Sequence, residues 1–351
     1  MIVGLAPRRA AAGLAVALAG LLVAAGCGGG EAAPPTVTAS PVAAPRATPL
    51  GDALALVPDV PALRRQVLFG DLRGLRHAYG EIGEVALAGV WLPDALAAAD
   101  RAPWRTVYGA GLGRVESFVS AGFHPAEVAV AVGRFPQATL ERLLARRGFA
   151  RRNGLLARGA DGSLDASTPT GRVVLSALDR VAIEPGRIVG ASTTRFARRA
   201  LASDGRRLAD RADFAAAARA IDPVTAAVVL DASLVRPPSG VPVRVVATRP
   251  ASLVAAGVLD RGEDGGVLEL AIVYENEVAA EEEAGVLEQA LPTLELTAPA
   301  GRRLVELGSD WAVEAVGRAV LVTARVAPGD HGAWRSLVES GDLAVLIRPG
   351  A

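Results

Sequence analysis

One pattern recurs five times and limits the folds open to this chain. A short apolar run is followed by a polar turn and then by an amphipathic helix. The first copy is residues 67–69, then Gly70-Asp71, then Leu72, Leu75 and Tyr79 at helical spacing. Asp71 is placed to cap that helix and Gly80 to stop it. The second is residues 128–132, a turn at Arg134-Phe135, and a helix from Pro136 with Leu140, Leu143 and Leu144 on one face and Gly148 after it. The third runs from 187–191 through Thr193-Thr194 to Phe196, Ala200 and Leu201. The fourth is 268–274, then Glu275-Asn276, then Ala280, Ala284, Leu287 and Leu291. The fifth is 319–326, then a turn at 328–330, then Trp334, Leu337 and Val338, with Gly341 as terminator. Further strands are expected at 173–176, 181–184, 226–230, 253–260 and 343–347, with a tight turn at Pro185-Gly186 and a hairpin loop at 261–266. Leu96 and its neighbours, and Val115, Phe118 and Val119, fit short helices. The expected class is α+β, an antiparallel sheet or sheets with helices on one face, built from these strand–turn–helix units.

The N-terminus carries a different message. Arg8 and Arg9 precede an apolar stretch from Ala10 to Ala25, shorter than the roughly 20 residues a spanning helix needs. It ends in Val23-Ala24-Ala25-Gly26-Cys27, which resembles the lipobox of bacterial lipoproteins, although Ala24 stands where leucine is commoner. The resemblance implies a signal peptide over residues 1–26, cleavage after Gly26, a diacylglyceryl group on Cys27 and a further acyl chain such as palmitate on the new N-terminus. At about 0.8 kcal/mol per buried methylene, two or more chains hold a protein stably where one does not. The expected location is the extracytoplasmic face of the cytoplasmic membrane, with Cys27 as the attachment. Residues 27–50, with Pro34, Pro35, Pro41, Pro45 and Pro49 among Ala, Thr and Ser, read as a tether. At ~3.1 Å per residue it would reach up to ~70 Å.

Composition excludes several classes. All 37 basic residues are arginine, and removal of Arg8 and Arg9 leaves 35 against 37 acidic residues. With no basic excess, no nucleic-acid partner is expected. The single cysteine is used by the lipid, which leaves neither a disulfide nor a thiolate metal site. After cleavage the chain is long enough for one large domain or two packed subdomains. Arg236-Pro237-Pro238-Ser239-Gly240-Val241-Pro242 is the candidate boundary, dividing 51–235 from 236–351.

Several short motifs occur in an order that adds a likeness. They are Leu54-Ala55-Leu56-Val57-Pro58 followed by 67–71, Leu208-Ala209 with Phe214, Val273-Tyr274-Glu275 with Ala279, and Trp334 and Leu337 followed by Gly341-Asp342-Leu343. In this the chain resembles actinobacterial envelope lipoproteins of a secreted domain family of unknown function. The resemblance implies a fold over most of 52–347. It implies no activity and no catalytic residues.

No constellation in the sequence rises to a catalytic or metal site. His77, His124 and His331 lie far apart, and none has a second histidine at helical spacing. Nucleophile-elbow motifs are absent, and the absence of lysine removes the usual phosphate-binding loop. Gly109-Ala110-Gly111-Leu112-Gly113 reads as a helix-entry turn. Glu263-Asp264 falls in the hairpin loop, and Glu281-Glu282-Glu283 reads as a solvated helix face. Asp260 to Asp264 lacks the ligand alternation of a calcium loop. Trp91, Trp104, Trp311 and Trp334 read as core anchors. Arg146, Arg147, Arg151 and Arg152 form a basic patch that reads as a solvated helix end, with contact to anionic lipid or a teichoic-type polymer as the alternative. Cys27 is therefore the one site residue, and no cofactor or metal is expected. The function expected is a non-enzymatic, lipid-anchored binding or structural module for an envelope lipid, glycan or protein. The alternatives are a carrier of lipid or another apolar ligand and, less favoured, an extracytoplasmic hydrolase.

Overall fold

The computed structural model describes residues 48–81, 90, 112–123, 125–163, 179–236, 245–296, 303–330 and 332–349. Residues 46–351 form one compact unit. Its centre is a 12-stranded antiparallel sheet. In chain order the strands are β1 (Gln66–Asp71), β2 (Val115–Phe123), β3 (Ala126–Gly133), β4 (Ala150–Arg152), β5 (Leu155–Ala157), β6 (Arg180–Glu184), β7 (Arg187–Ala191), β8 (Ala226–Asp231), β10 (Leu253–Asp260), β11 (Gly266–Val273), β12 (Ser309–Val316) and β13 (Ala319–Val326). Two short strands, β9 (Pro250–Ala251) and β14 (Arg348–Pro349), pair in parallel beside it. The spatial order is β12-β13-β11-β10-β8-β1-β2-β3-β7-β6-β5-β4.

The described helices are α1 (Pro49–Leu54), α2 (Leu72–Tyr79), α3 (Gln137–Arg146), α4 (Thr194–Leu201), α5 (Ala212–Ile221), α6 (Glu277–Ala290) and α7 (Ala333–Glu339). Polar turn residues start several of them. The Asp71 carboxylate accepts from the N–H groups of Arg73 and Gly74 at 3.1 and 3.0 Å. Thr193 accepts from Phe196 N–H and Asn276 from Ala279 N–H. Each such cap is worth about 1 kcal/mol.

The antiparallel α+β class is as expected, but helices cover both faces of the sheet rather than one. Successive strand residues point to opposite faces, and here they feed two separate apolar layers. Leu68, Val228, Val254, Leu270 and Val322 enter the layer under α2, α3, α6 and α7, with Trp334 at its heart. Phe69, Val229, Ala255, Ala271 and Leu321 enter the layer under α1, α4 and α5, around Phe214.

Three readings differ from the sequence expectation. Residues 115–119 belong to strand β2, not a helix. Phe118 is buried in one layer and Val119 in the other, so the two-residue alternation that marks a half-buried strand is erased. Residues 342–345 form a 3-10 helix instead of a strand, entered through Gly341 at φ 75°. The segment 236–242 does not divide the sheet, because β8 before it pairs with β10 after it along 226–231 and 253–258. The expected strand at 173–176 and the helix near Leu96 lie outside the described residues.

The folded unit also begins earlier than Gly51. Thr48 caps α1 by accepting from Gly51 N–H at 3.1 Å, and Leu50 is completely buried. A chain starting at Gly51 is therefore expected to be about 2 kcal/mol less stable than one starting at Arg46, from the lost cap and the lost leucine. Urea unfolding of the two chains checks this, and equal midpoints would show that the Thr48 cap and Leu50 contribute nothing.

Candidate functional site

Three places in the described structure hold polar groups in arrangements with chemical potential. The first is a groove of about 450 Å³ beside α1. Pro49, Asp52, Ala53 and Leu56 form one wall, and Phe69, Asp71, Ser117 and Val132 of three adjacent strands form the floor. Arg73 and Glu116 also line it. Asp71 is occupied in capping α2. Glu116 faces Arg134 at 3.8 Å, a solvated pair of little energetic weight. Asp52 is exposed beside the opening.

The second place lies deeper on the same face of the sheet. Glu269 on β11 stands opposite Gly257 on β10 and Thr323 on β13. Gly257 keeps this row low, because a β-carbon there would come within 2.7 Å of the Ala226 carbonyl oxygen. Asp222, at the C-terminus of α5, is close enough for its charge to act on Glu269. Both oxygens of Asp222 and Oε2 of Glu269 are withdrawn from solvent and make no well-formed hydrogen bond, the Val224 N–H reaching Asp222 only weakly. Burial therefore pushes Asp222 up to about 7, with the nearby charge of Asp52 acting in the same direction and the Val224 N–H opposing. Burial pushes Glu269 up to about 8, helped by Asp222 and opposed by Arg261. Carboxyls of this kind can move protons near neutrality. Here these oxygens are closed off beneath α5, so the pair acts on stability.

The third is Glu283 on α6, which is completely buried. Its carboxylate accepts from the N–H of Thr248 at 3.1 Å, from the N–H of Arg249 at 2.8 Å and from the Thr248 hydroxyl. It fastens the segment before β9 to α6. Tyr274 is also completely buried, with a hydroxyl that lacks a partner. Burial raises that phenol, and the charge of Glu283 raises it further.

Reading Glu281-Glu282-Glu283 as one solvated face was therefore wrong for Glu283. Glu281 and Glu282 are exposed, and Glu282 meets Arg249 at 2.5 Å. Asp260 is buried as well. Its carboxylate accepts from the Tyr79 hydroxyl at 2.9 Å and from Gly262 N–H at 2.8 Å, which fastens α2 to the β10–β11 turn. Glu263 and Asp264 are exposed in that turn.

The other residues singled out from the sequence fall as follows. Trp334 is buried core, and Trp311 is half-buried with its indole N–H donating to the Val305 and Gly308 carbonyls. His77 is exposed on α2. Arg146, Arg151 and Arg152 are exposed, and Arg151 meets Glu141 at 2.9 Å. Cys27, Trp91, Trp104, His124, His331 and 109–111 lie outside the described residues. Among the described residues no group of three His, Cys, Asp or Glu side chains is arranged to hold a metal ion. No described helix is long and apolar enough to cross a membrane.

The sequence reading passed over Asp222 and Glu269. A signal was available for Glu269, the single charged residue within the apolar run from Val267 to Val273. For Asp222 there was none, because its burial depends on how α5 lies on the sheet.

Comparison with known proteins adds little. No family model matches the chain, and no curated protein matches it. A solved structure titled "Structure of crystal form IV of TP0453" is similar at 11% identity, over 82% of this chain and 96% of that chain, with a TM-score of 0.42.

Proposed function

We propose that this protein is a non-enzymatic envelope module, held by lipid at Cys27 on the extracytoplasmic face of the cytoplasmic membrane and binding a polar envelope component. The observation that favours binding over lipid carriage is the groove. It opens to solvent, and Asp52, Asp71, Glu116 and Arg73 line it. An acyl chain needs a predominantly apolar, enclosed site, whereas this groove is open and sets Asp52, Arg73 and Glu116 beside Ala53, Leu56, Phe69 and Val132, a mixed lining that suits a ligand with polar groups. Native mass spectrometry of residues 28–351, prepared without lipid, tests this part of the proposal. The expected spectrum is the bare polypeptide, or the polypeptide with a small polar adduct. A co-purified lipid lost on denaturation would overturn the reading in favour of a carrier.

The anchor is tested separately. Cys27→Ser is expected to leave an uncleaved precursor or to move the protein out of the membrane fraction after a high-salt wash. The wash removes electrostatic attachment and leaves acyl attachment in place. Processed Cys27→Ser protein that stays with the washed membranes would overturn the lipid anchor.

A further inference from the structure

The near-zero net charge of the chain conceals a strong separation along the sheet. The described residues between 134 and 201 include twelve arginines against four acidic residues. They build β4, β5, β6 and β7 with α3 and α4, at one end of the strand order. Residues 260–342 contain seventeen acidic residues against six arginines. They build β11, β13 and β12 with α6 and α7, at the other end. Neighbouring strands lie about 4.8 Å apart, so the eight to nine steps between the middles of the two strand groups set the charge excesses some 40 Å apart along the sheet. That is several Debye lengths at physiological salt, so neither end screens the other.

The basic end presents its charge outward. Leu140 and Leu144 pin α3 to one face of the sheet, which leaves Arg142 and Arg146 exposed one turn apart. Ala197 and Ala200 pin α4 to the other face, which leaves Arg195, Arg198 and Arg199 exposed. Arg152 is exposed on β4, the edge strand between them. Some arginines at this end are paired, as Arg180 is with Asp161 and Arg187 with Glu184. Arg146, Arg152, Arg195, Arg198 and Arg199 have no carboxylate within ion-pair distance among the described residues. Favouring the C-terminus of a helix takes one or two cations near its last turn, and guarding an edge strand takes one or two more. The surplus of eight is beyond both needs.

From this separation we infer that the α3–β4–α4 end is a docking surface for an anionic phospholipid bilayer, which the protein meets end-on with its acidic end turned away. The choice of a bilayer over other polyanions rests on the lipid anchor proposed above. Twenty residues separate Cys27 from Thr48. At ~3.1 Å each they reach ~60 Å, enough to bring either end of the sheet to the membrane. Each arginine brought to an anionic surface strengthens partitioning by roughly fivefold, from the ~1 kcal/mol such a residue contributes there. The acidic end is repelled by the same field, so attraction and repulsion select one orientation.

The test uses unlipidated residues 28–351, so that failure of the anchor and failure of the docking surface are read apart. Extruded vesicles of phosphatidylcholine alone, and of phosphatidylcholine mixed with phosphatidylglycerol, are sedimented with the protein at low and at raised salt. Binding is expected to the mixed vesicles only, and to be lost at raised salt. Reversing Arg146, Arg152, Arg198 and Arg199 to Glu is expected to weaken it by at least about 100-fold. The same four changed to Gln, which removes charge without adding repulsion, should give a smaller loss in the same direction. Neutralising Glu281 and Glu314 at the other end to Gln should not weaken it. Equal binding to uncharged vesicles, or binding indifferent to the four arginines, would overturn the inference. So would absent vesicle binding alongside salt-sensitive capture by a soluble phosphodiester polymer, or alongside salt-sensitive oligomers of the chain itself.

Discussion

Replacing Glu283 by Ala is expected to lower the unfolding free energy by about 3–4 kcal/mol. The side chain is completely buried and its carboxylate receives three donors from Thr248 and Arg249. Hydrogen bonds to a charged acceptor contribute more than neutral ones, and removing the acceptor leaves buried donors without a partner. Gln at the same position keeps one acceptor oxygen but turns an NH2 group toward N–H donors, so it should recover only part of the loss. Tyr274 provides the internal control. Its hydroxyl is buried without a partner, so Tyr274→Phe should cost nothing or stabilise slightly. Guanidinium unfolding of the three variants reads all of these effects. A Glu283→Ala variant within about 0.5 kcal/mol of the parent would mean that the 248–249 segment is not held by this carboxylate.

The second large effect depends on pH. Glu269 is held near 8 against an ordinary 4.5, and Asp222 near 7 against 3.8. In both cases the folded state keeps a proton that the unfolded chain has released. Between pH ~4 and ~8 the folded state therefore binds more protons, and stability falls as pH rises. The contribution is fully present below the unfolded values and gone above the folded ones. For Glu269 the shift corresponds to roughly 4–5 kcal/mol, and partial access of water reduces this to about 2–3 kcal/mol. Glu269→Gln is neutral at every pH, so it should match the parent near pH 4 and exceed its stability by about 2 kcal/mol at pH 8.5. Denaturation midpoints across that range make the measurement. If parent and variant give parallel profiles, the carboxyl does not titrate in a buried setting.

The five strand–turn–helix units were legible because each carries its own local signals. Asp71, Thr193 and Asn276 sit in the turns and cap the helices that follow. Strand β2 was illegible for the opposite reason. Its residues 118–121 are buried on both faces of the sheet, so no periodicity separates it from a buried helix. The side on which each helix packs was also hidden. A helix records that one of its faces is buried, and either side of a two-faced sheet can satisfy it. The buried carboxylates divide along the same line. Glu269 interrupts an apolar strand and could have been noticed, whereas Glu283 looks like its exposed neighbours Glu281 and Glu282 until α6 is docked.

The position of β8 bears on the order in which the sheet can assemble. This strand lies between β1 and β10, and β1 pairs with it across more than 160 residues, Gln66 with Leu230. Until residues 226–231 have emerged, β1 has a partner on only one edge. β10, β11 and β13 can pair with one another but have no link to β1 until β8 is in place. High contact order of this kind slows folding, because the entropy of closing a long loop is lost before the pairing is gained. Most of the polypeptide has to be available before this strand can join the two halves of the sheet.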